Sequence, residues 1–108
     1  MRYDKLVRDK IPAILKKKGI TPIVHRASEE EFGQRLCEKL REEVGELLAK
    51  PSEEELADVL EVLSALQSYY GFDEAVIERV RKEKARERGV FNEKLVLDET
   101  RVEAKEKV

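Results

Sequence analysis

Two consecutive segments carry the start and stop signals of helices, and they constrain the fold more than any other feature of the chain. Residues 28–49 and 52–70 each begin with a serine that is followed three residues later by a glutamate, the spacing of a capping box. The segments are followed by the helix breakers Pro51 and Gly71. Because the link between them is so short, the sequence predicts two antiparallel helices that pack against each other.

The segments that flank the helix pair give weaker signals. A short helix can start near Asp9 and stop at Gly19, and a longer one can run from Asp73 to Gly89. Residues 20–27 are β-branched and interrupted by proline, which favours an extended connector or an edge strand. With 108 residues, the chain has room for one domain, so we expect residues 1–108 to form a single all-α domain.

The first long helix carries an acidic residue in its apolar face. Four apolar side chains share one arc when residues are placed about 100° apart, and Glu43 falls in the middle of that arc. Glu46 lies one turn further along at the edge of the arc, whereas Glu42 is expected to point toward water. The apolar residues of this arc are Phe32, Leu36, Leu40 and Leu47.

The second long helix repeats this arrangement. Glu55 lies inside its apolar face, Asp58 flanks that face, and Glu61 points away from it. The residues that define the face in this prediction are Val59, Leu63, Leu66 and Tyr70. An antiparallel pair of helices can therefore bring Glu43, Glu46, Glu55 and Asp58 to one point.

Buried carboxylates need compensation, because an unpaired charge in a core costs several kcal/mol. Ligation by carboxylate oxygens favours Mg²⁺, or Mn²⁺, over zinc, and a single Cys37 and a single His25 provide no Cys/His cluster. Two simpler interpretations stay open. Glutamate is abundant, so acidic pairs with this spacing also arise by chance on solvated faces, and Glu55 also fits the capping box of its own helix.

At these residues the chain resembles the all-α nucleoside triphosphate pyrophosphohydrolase superfamily, which includes MazG, dimeric dUTPases and phosphoribosyl-ATP pyrophosphohydrolase. The EExxE and ExxD motifs of that superfamily are matched by residues 42–46 and 55–58. The leader from Tyr3 to Pro12, YDKLVRDKIP, and residues 83–89, EKARERG, are similar more narrowly to its short, predicted house-cleaning members. The resemblance covers most of the chain.

The resemblance implies an antiparallel helical bundle of the MazG-like type, and we expect homo-oligomerisation to complete it, because so short a chain leaves much of its surface exposed. It also implies Mg²⁺-dependent cleavage of a nucleoside triphosphate, canonical or not, to the monophosphate and pyrophosphate. The metal ligands would be the four carboxylates already singled out, Glu43, Glu46, Glu55 and Asp58.

Other residues have candidate roles in the same reaction. We expect Glu42 or Glu46 to orient the attacking water. In the leader, Lys5 and Arg8 are candidate substrate contacts by family likeness. Lys84 extends the apolar side of the last helix with Arg88 beside it, so both are candidates for phosphate oxygens, although a solvated surface explains them equally well.

Two alternative functions remain open, namely a non-catalytic helical nucleotide-sensing or dimerisation module and a phosphoribosyl-ATP pyrophosphohydrolase. The net charge of −2 argues against binding to duplex nucleic acid. No segment is apolar enough to span a bilayer, so we expect no membrane partner and a cytoplasmic location. A short helical chain with apolar stripes to bury predicts a homodimer or a dimer of dimers.

Overall fold

A computed structural model describes residues 1–103 and contains helices as its only regular secondary structure over that range. There are four in the described part, α1 (Ile11–Lys17), α2 (Glu29–Ala49), α3 (Glu53–Tyr70) and α4 (Glu74–Arg88). The prediction of an all-α chain is therefore confirmed for these residues.

Serine caps fix the starts of the two long helices. The Ser28 hydroxyl accepts a hydrogen bond from the Glu31 N–H at 3.2 Å, and the Ser52 hydroxyl accepts one from the Glu55 N–H at 3.1 Å. α3 ends at Gly71, whose φ of 67° lies in the left-handed region that favours glycine. The bounds predicted for both helices are confirmed to within one residue.

The flanking helices form where the sequence predicted them, and the structure decides between the two alternatives left open for the segment after α1. α1 begins two residues after Asp9 and carries proline in its first turn, as proline geometry allows. Residues 20–28 form neither helix nor strand, so the connector alternative holds and the edge strand does not form. α4 ends just before Gly89, which has a φ of 83°.

Contacts at both ends of the helix pair show that α2 and α3 run antiparallel. At the start of α2 the Glu29 carbonyl accepts a hydrogen bond from the Tyr69 hydroxyl at 3.0 Å. The Phe32 and Tyr69 rings meet edge to face there, with centroids 5.7 Å apart. Toward the other end, carboxylates of both helices come together at the candidate site. The predicted packing of these two helices is confirmed.

The core between the helices differs from the predicted apolar face of α3. Leu36 of α2 is buried, and so are Val59 and Val62 of α3, whereas Leu63 and Tyr70 are 43% and 54% exposed. The prediction was wrong for Leu63 and Tyr70 because apolar side chains surround most of α3. Periodicity alone therefore did not determine which side of α3 meets α2.

The chain divides into two compact units, one of residues 1–73 and one that starts at Glu74. The first contains α1, α2 and α3, and the second contains α4; each is described by itself. That the whole chain acts as one domain stays a prediction. Within the described residues, no helix has the length and apolar character that a membrane crossing requires.

Gly33 is required for the close approach of α2 and α3, and this makes a testable prediction. A Cβ at Gly33 would lie 2.4 Å from the Tyr69 hydroxyl oxygen, whereas a Cβ at Gly45 would meet nothing within 4 Å. We expect Gly33→Ala to lower the free energy of unfolding by about 1–3 kcal/mol through overpacking. Gly45→Ala, the matched control, should raise it by about 0.5–1 kcal/mol through helix propensity. Urea unfolding measures both, and equal effects of the two variants would contradict this packing.

Candidate metal site

Three carboxylates from α2 and α3 converge at one point. Glu43, Glu55 and Asp58 each place an oxygen within 4.8 Å of an oxygen of the other two. Glu43 belongs to α2 and is only 7% exposed, while Glu55 and Asp58 occupy successive turns at the start of α3 and are half-buried. Because the link between α2 and α3 is short, the last part of α2 and the first turns of α3 lie at the same end of the antiparallel pair. The three carboxylates come together at that end.

Two oxygens of this cluster are buried without a hydrogen-bond partner. They are the Oε2 atoms of Glu43 and Glu55. An unsatisfied buried acceptor costs about 1–3 kcal/mol and more when it is charged, so it calls for a partner from outside the protein chain, an ordered water or an ion. Because Oε2 of Glu55 makes no hydrogen bond, that oxygen does not complete the capping box with Ser52.

The adjacent residues Glu42 and Glu43 have opposite electrostatic environments. Burial raises the pKa of Glu43 above its ordinary value, and the nearby charges of Glu46 and Asp58 raise it further, against the opposing effect of Lys39. At Glu42 burial also raises the pKa, but hydrogen bonds and charges from Lys5 and Lys39 outweigh burial and lower it overall. The two lysines therefore offset the cost of burying the charge of Glu42, whereas Lys39 does not offset the cost of burying the charge of Glu43.

The leader before α1 supplies cations to the acidic residues. Lys5 Nζ lies 3.0 Å from Glu42 Oε1, and this contact raises the pKa of Lys5. Arg8 Nη2 lies 2.8 Å from Asp58 Oδ1, and its Nη1 lies 3.7 Å from Glu61 Oε1. Of the two leader residues that the sequence proposed as substrate contacts, Arg8 therefore contacts the three-carboxylate cluster, whereas Lys5 pairs with Glu42 next to it in sequence.

A cavity of about 460 Å³ adjoins the cluster. Its charged side includes Glu43 and Asp58 of the cluster and Arg8, which is paired with Asp58. The remaining wall is largely apolar and comes from the leader, α2 and α3, with Leu6, Val7, Phe32, Leu36, Val62 and Ala65. The site thus combines a strongly acidic edge with an apolar recess.

Two of the predicted acidic site residues lie outside the three-carboxylate cluster. Glu46 is exposed, although its charge acts on Glu43. Glu42 is half-buried and paired with Lys5 and Lys39, so the prediction that it points toward water was wrong. Periodicity missed Lys5 because it describes one helix and not what packs over it. A catalytic role for either glutamate stays a prediction.

Lys84 and Arg88 lie on α4, in the second compact unit, and both are exposed. Their predicted contact with substrate phosphate stays a prediction.

Lys39 is the residue at the site that the sequence reasoning missed. Its Nζ lies 3.6 Å from Glu42 Oε1 and 3.4 Å from Glu43 Oε1. The signal was present in the sequence, because residues three and four apart on a helix face each other and oppositely charged pairs form at that spacing.

Comparisons with known proteins add little to this geometry. No family model matches the chain, and no solved structure was found to match it. An uncharacterized protein of Mycolicibacterium smegmatis is 44% identical over 45 residues, which cover 42% of this chain and 46% of that protein. The chain thus aligns with less than half the length of this relative, whose name assigns no function.

Proposed function

We propose that this protein is a Mg²⁺-dependent nucleoside triphosphate pyrophosphohydrolase that releases a nucleoside monophosphate and pyrophosphate. The observation that carries the proposal is the pair of buried, unpartnered carboxylate oxygens on Glu43 and Glu55, beside Asp58. Mn²⁺ is an alternative metal for the same oxygen ligands. The resemblance to the MazG-like superfamily in residues 42–46 and 55–58 supplies the reaction.

The residues present fit a hard divalent cation. Glu43, Glu55 and Asp58 provide only oxygen ligands. Glu46 lies outside this cluster, and its charge acts on Glu43, so we keep it as the candidate for a fourth ligand, directly or through water. A bound Mg²⁺ would neutralise charge on phosphate oxygens and lower the pKa of bound water. Magnesium usually keeps substrate phosphates and waters among its ligands, which agrees with a protein contribution of a few carboxylates.

The surrounding residues suit the rest of a nucleotide. The cavity beside the cluster has room for a nucleoside, and its apolar wall provides Phe32 as a surface against which a base can pack. Arg8 and Lys5 supply positive charge for the phosphate chain. Glu46 is better suited than Glu42 to accept a proton from the attacking water, because Glu42 is committed to two lysines.

Measuring pyrophosphate release tests the reaction and its alternatives together. The panel should contain canonical and modified nucleoside triphosphates and phosphoribosyl-ATP, each with and without Mg²⁺. We expect turnover of at least one triphosphate, dependent on metal. Metal-dependent nucleotide binding without turnover would instead support a sensing module, and turnover confined to phosphoribosyl-ATP would support the phosphoribosyl-ATP pyrophosphohydrolase alternative.

We also propose that the protein assembles as a homodimer or a dimer of dimers through α3. Leu56, Leu60 and Leu63 are spaced along one side of that helix and are 47%, 57% and 43% exposed. Such an apolar stripe is unusual on a monomer, and the small core of the helix pair would gain from burying it. Light scattering should give at least twice the chain mass of 12.5 kDa, and a monomer at micromolar concentration would contradict the assembly.

A further inference from the structure

Arg8 of the leader forms an ion pair with a carboxylate that the proposed metal would need as a ligand. Arg8 Nη2 is 2.8 Å from Oδ1 of Asp58, and Asp58 is one of the three carboxylates of the cluster. Two cations therefore compete for the charge of one side chain. Since like charges repel, a divalent ion among the carboxylates must weaken the hold of Asp58 on Arg8.

The leader backbone is fixed separately from this contact. Arg35 of α2 donates a hydrogen bond to the Asp4 carbonyl at 2.7 Å, and Lys5 is paired with Glu42. Leu6 is half-buried in the wall of the cavity. The Arg8 side chain is more than half exposed, so it can leave Asp58 by rotating about its own bonds while the leader stays in place.

The Arg8 guanidinium that would be released already lies at the cavity. Arg8 belongs to the cavity lining together with Glu43 and Asp58. A guanidinium presents paired N–H groups that match two phosphate oxygens, and it keeps its charge at any physiological pH. A phosphate chain beside the carboxylates would offer Arg8 a new anionic partner close to the one that it leaves.

We propose that Arg8 is an exchangeable counter-ion: it neutralises Asp58 when no metal is bound, and it transfers to a phosphate of the ligand when metal takes its place. The inference rests on the proposed function, since it requires metal and phosphate at this site. Arg8 thereby couples the binding of the two ligands. It weakens the binding of metal in the absence of phosphate, and it strengthens the binding of phosphate once the metal is bound.

The coupling predicts effects of opposite sign from one substitution. Arg8→Gln should tighten Mn²⁺ binding by about three- to tenfold, because it removes a competing charge at a partly exposed site. The same variant should weaken binding of inorganic triphosphate at saturating Mg²⁺ by about tenfold or more. General damage to the site would weaken both, so the opposed signs separate exchange from a purely structural role.

Isothermal titration of the full chain with Mn²⁺, and with inorganic triphosphate at saturating Mg²⁺, measures these effects. Arg8→Lys should retain the wild-type metal affinity and recover only part of the triphosphate affinity. Arg2→Gln is the matched control, because Arg2 is exposed and paired with Asp4, and it should change neither affinity. If wild type binds Mn²⁺ and Arg8→Gln binds it equally or more weakly, the exchange is refuted while the metal site stands. If wild type binds no Mn²⁺, the proposed function fails and the exchange fails with it.

Discussion

Replacing Glu43 with glutamine is expected to inactivate the protein and, at the same time, to stabilise its metal-free form. Glutamine keeps the shape of the side chain but removes the buried charge whose Oε2 has no partner. Turnover should fall by about 100-fold or more, because metal contributes several kcal/mol to such reactions and each 1.4 kcal/mol is a factor of about ten. Glu38→Gln, an exposed change on the same helix, should retain activity.

The stability gain of Glu43→Gln should depend on pH in a direction set by the raised pKa of Glu43. When folding raises the pKa of a carboxyl, the folded state binds its proton more tightly than the unfolded state, so stability is lost as the pH rises through the folded pKa. Below the ordinary value of 4.5, Glu43 is protonated in both the folded and the unfolded state, so wild type and variant should unfold alike. Above it the variant should gain about 1 kcal/mol.

Thermal unfolding in metal-free buffer from acid to neutral pH measures that gain. A gain of this size corresponds to about 4–8 °C in Tm for a domain of this length. A variant that is less stable than wild type at neutral pH would mean that Glu43 is compensated within the protein. The argument for an external cation would then lose its basis.

Divalent metal should stabilise the wild-type protein strongly, and Glu55→Gln should abolish that response. A ligand that binds only the folded state at 100 times its Kd adds about 2.7 kcal/mol to stability. For a small domain this is a rise of about 10 °C or more in Tm. Glu55 contributes the second buried oxygen without a partner, so its neutral analogue cannot hold the ion in the same way.

The neighbouring residue provides the matched control for this experiment. Glu54 lies in the same first turn of α3 and is exposed, so Glu54→Gln should respond to Mg²⁺ as wild type does. Melting curves of the three proteins with Mg²⁺, with Mn²⁺ and with a chelator give the comparison. An equal metal response in Glu54→Gln and Glu55→Gln would place any bound ion away from the cluster.

The sequence was sufficient to predict the helix pair and the inward acidic residue. Capping signals are local, so Ser28 and Ser52 identified the helix starts, and the short link determined the antiparallel packing. The burial of Glu43 is confirmed because one apolar arc of α2 is clear enough to orient that helix. On α3 the apolar residues are more widely distributed, and Val62 lies in the core where Leu63 was expected.

What could not be predicted are the contacts between residues that are distant in sequence. Lys5 meets Glu42 across 37 positions, and Arg8 meets Asp58 across 50. No periodicity within a helix determines where an irregular leader lies on the folded surface. The family likeness suggested that Lys5 and Arg8 matter, but only the fold shows that both already neutralise carboxylates at the candidate site.

Glu43, Glu55 and Asp58 are proposed to hold a divalent cation together. This is tested by a crystal structure of the wild-type protein grown with Mn²⁺, with data collected at an X-ray energy where manganese scatters anomalously. The expected result is an anomalous peak among oxygens of all three side chains, with Oε2 of Glu43 and Oε2 of Glu55 directed toward it. A fully occupied manganese peak elsewhere on the molecule, with no density among these three carboxylates, would contradict the account.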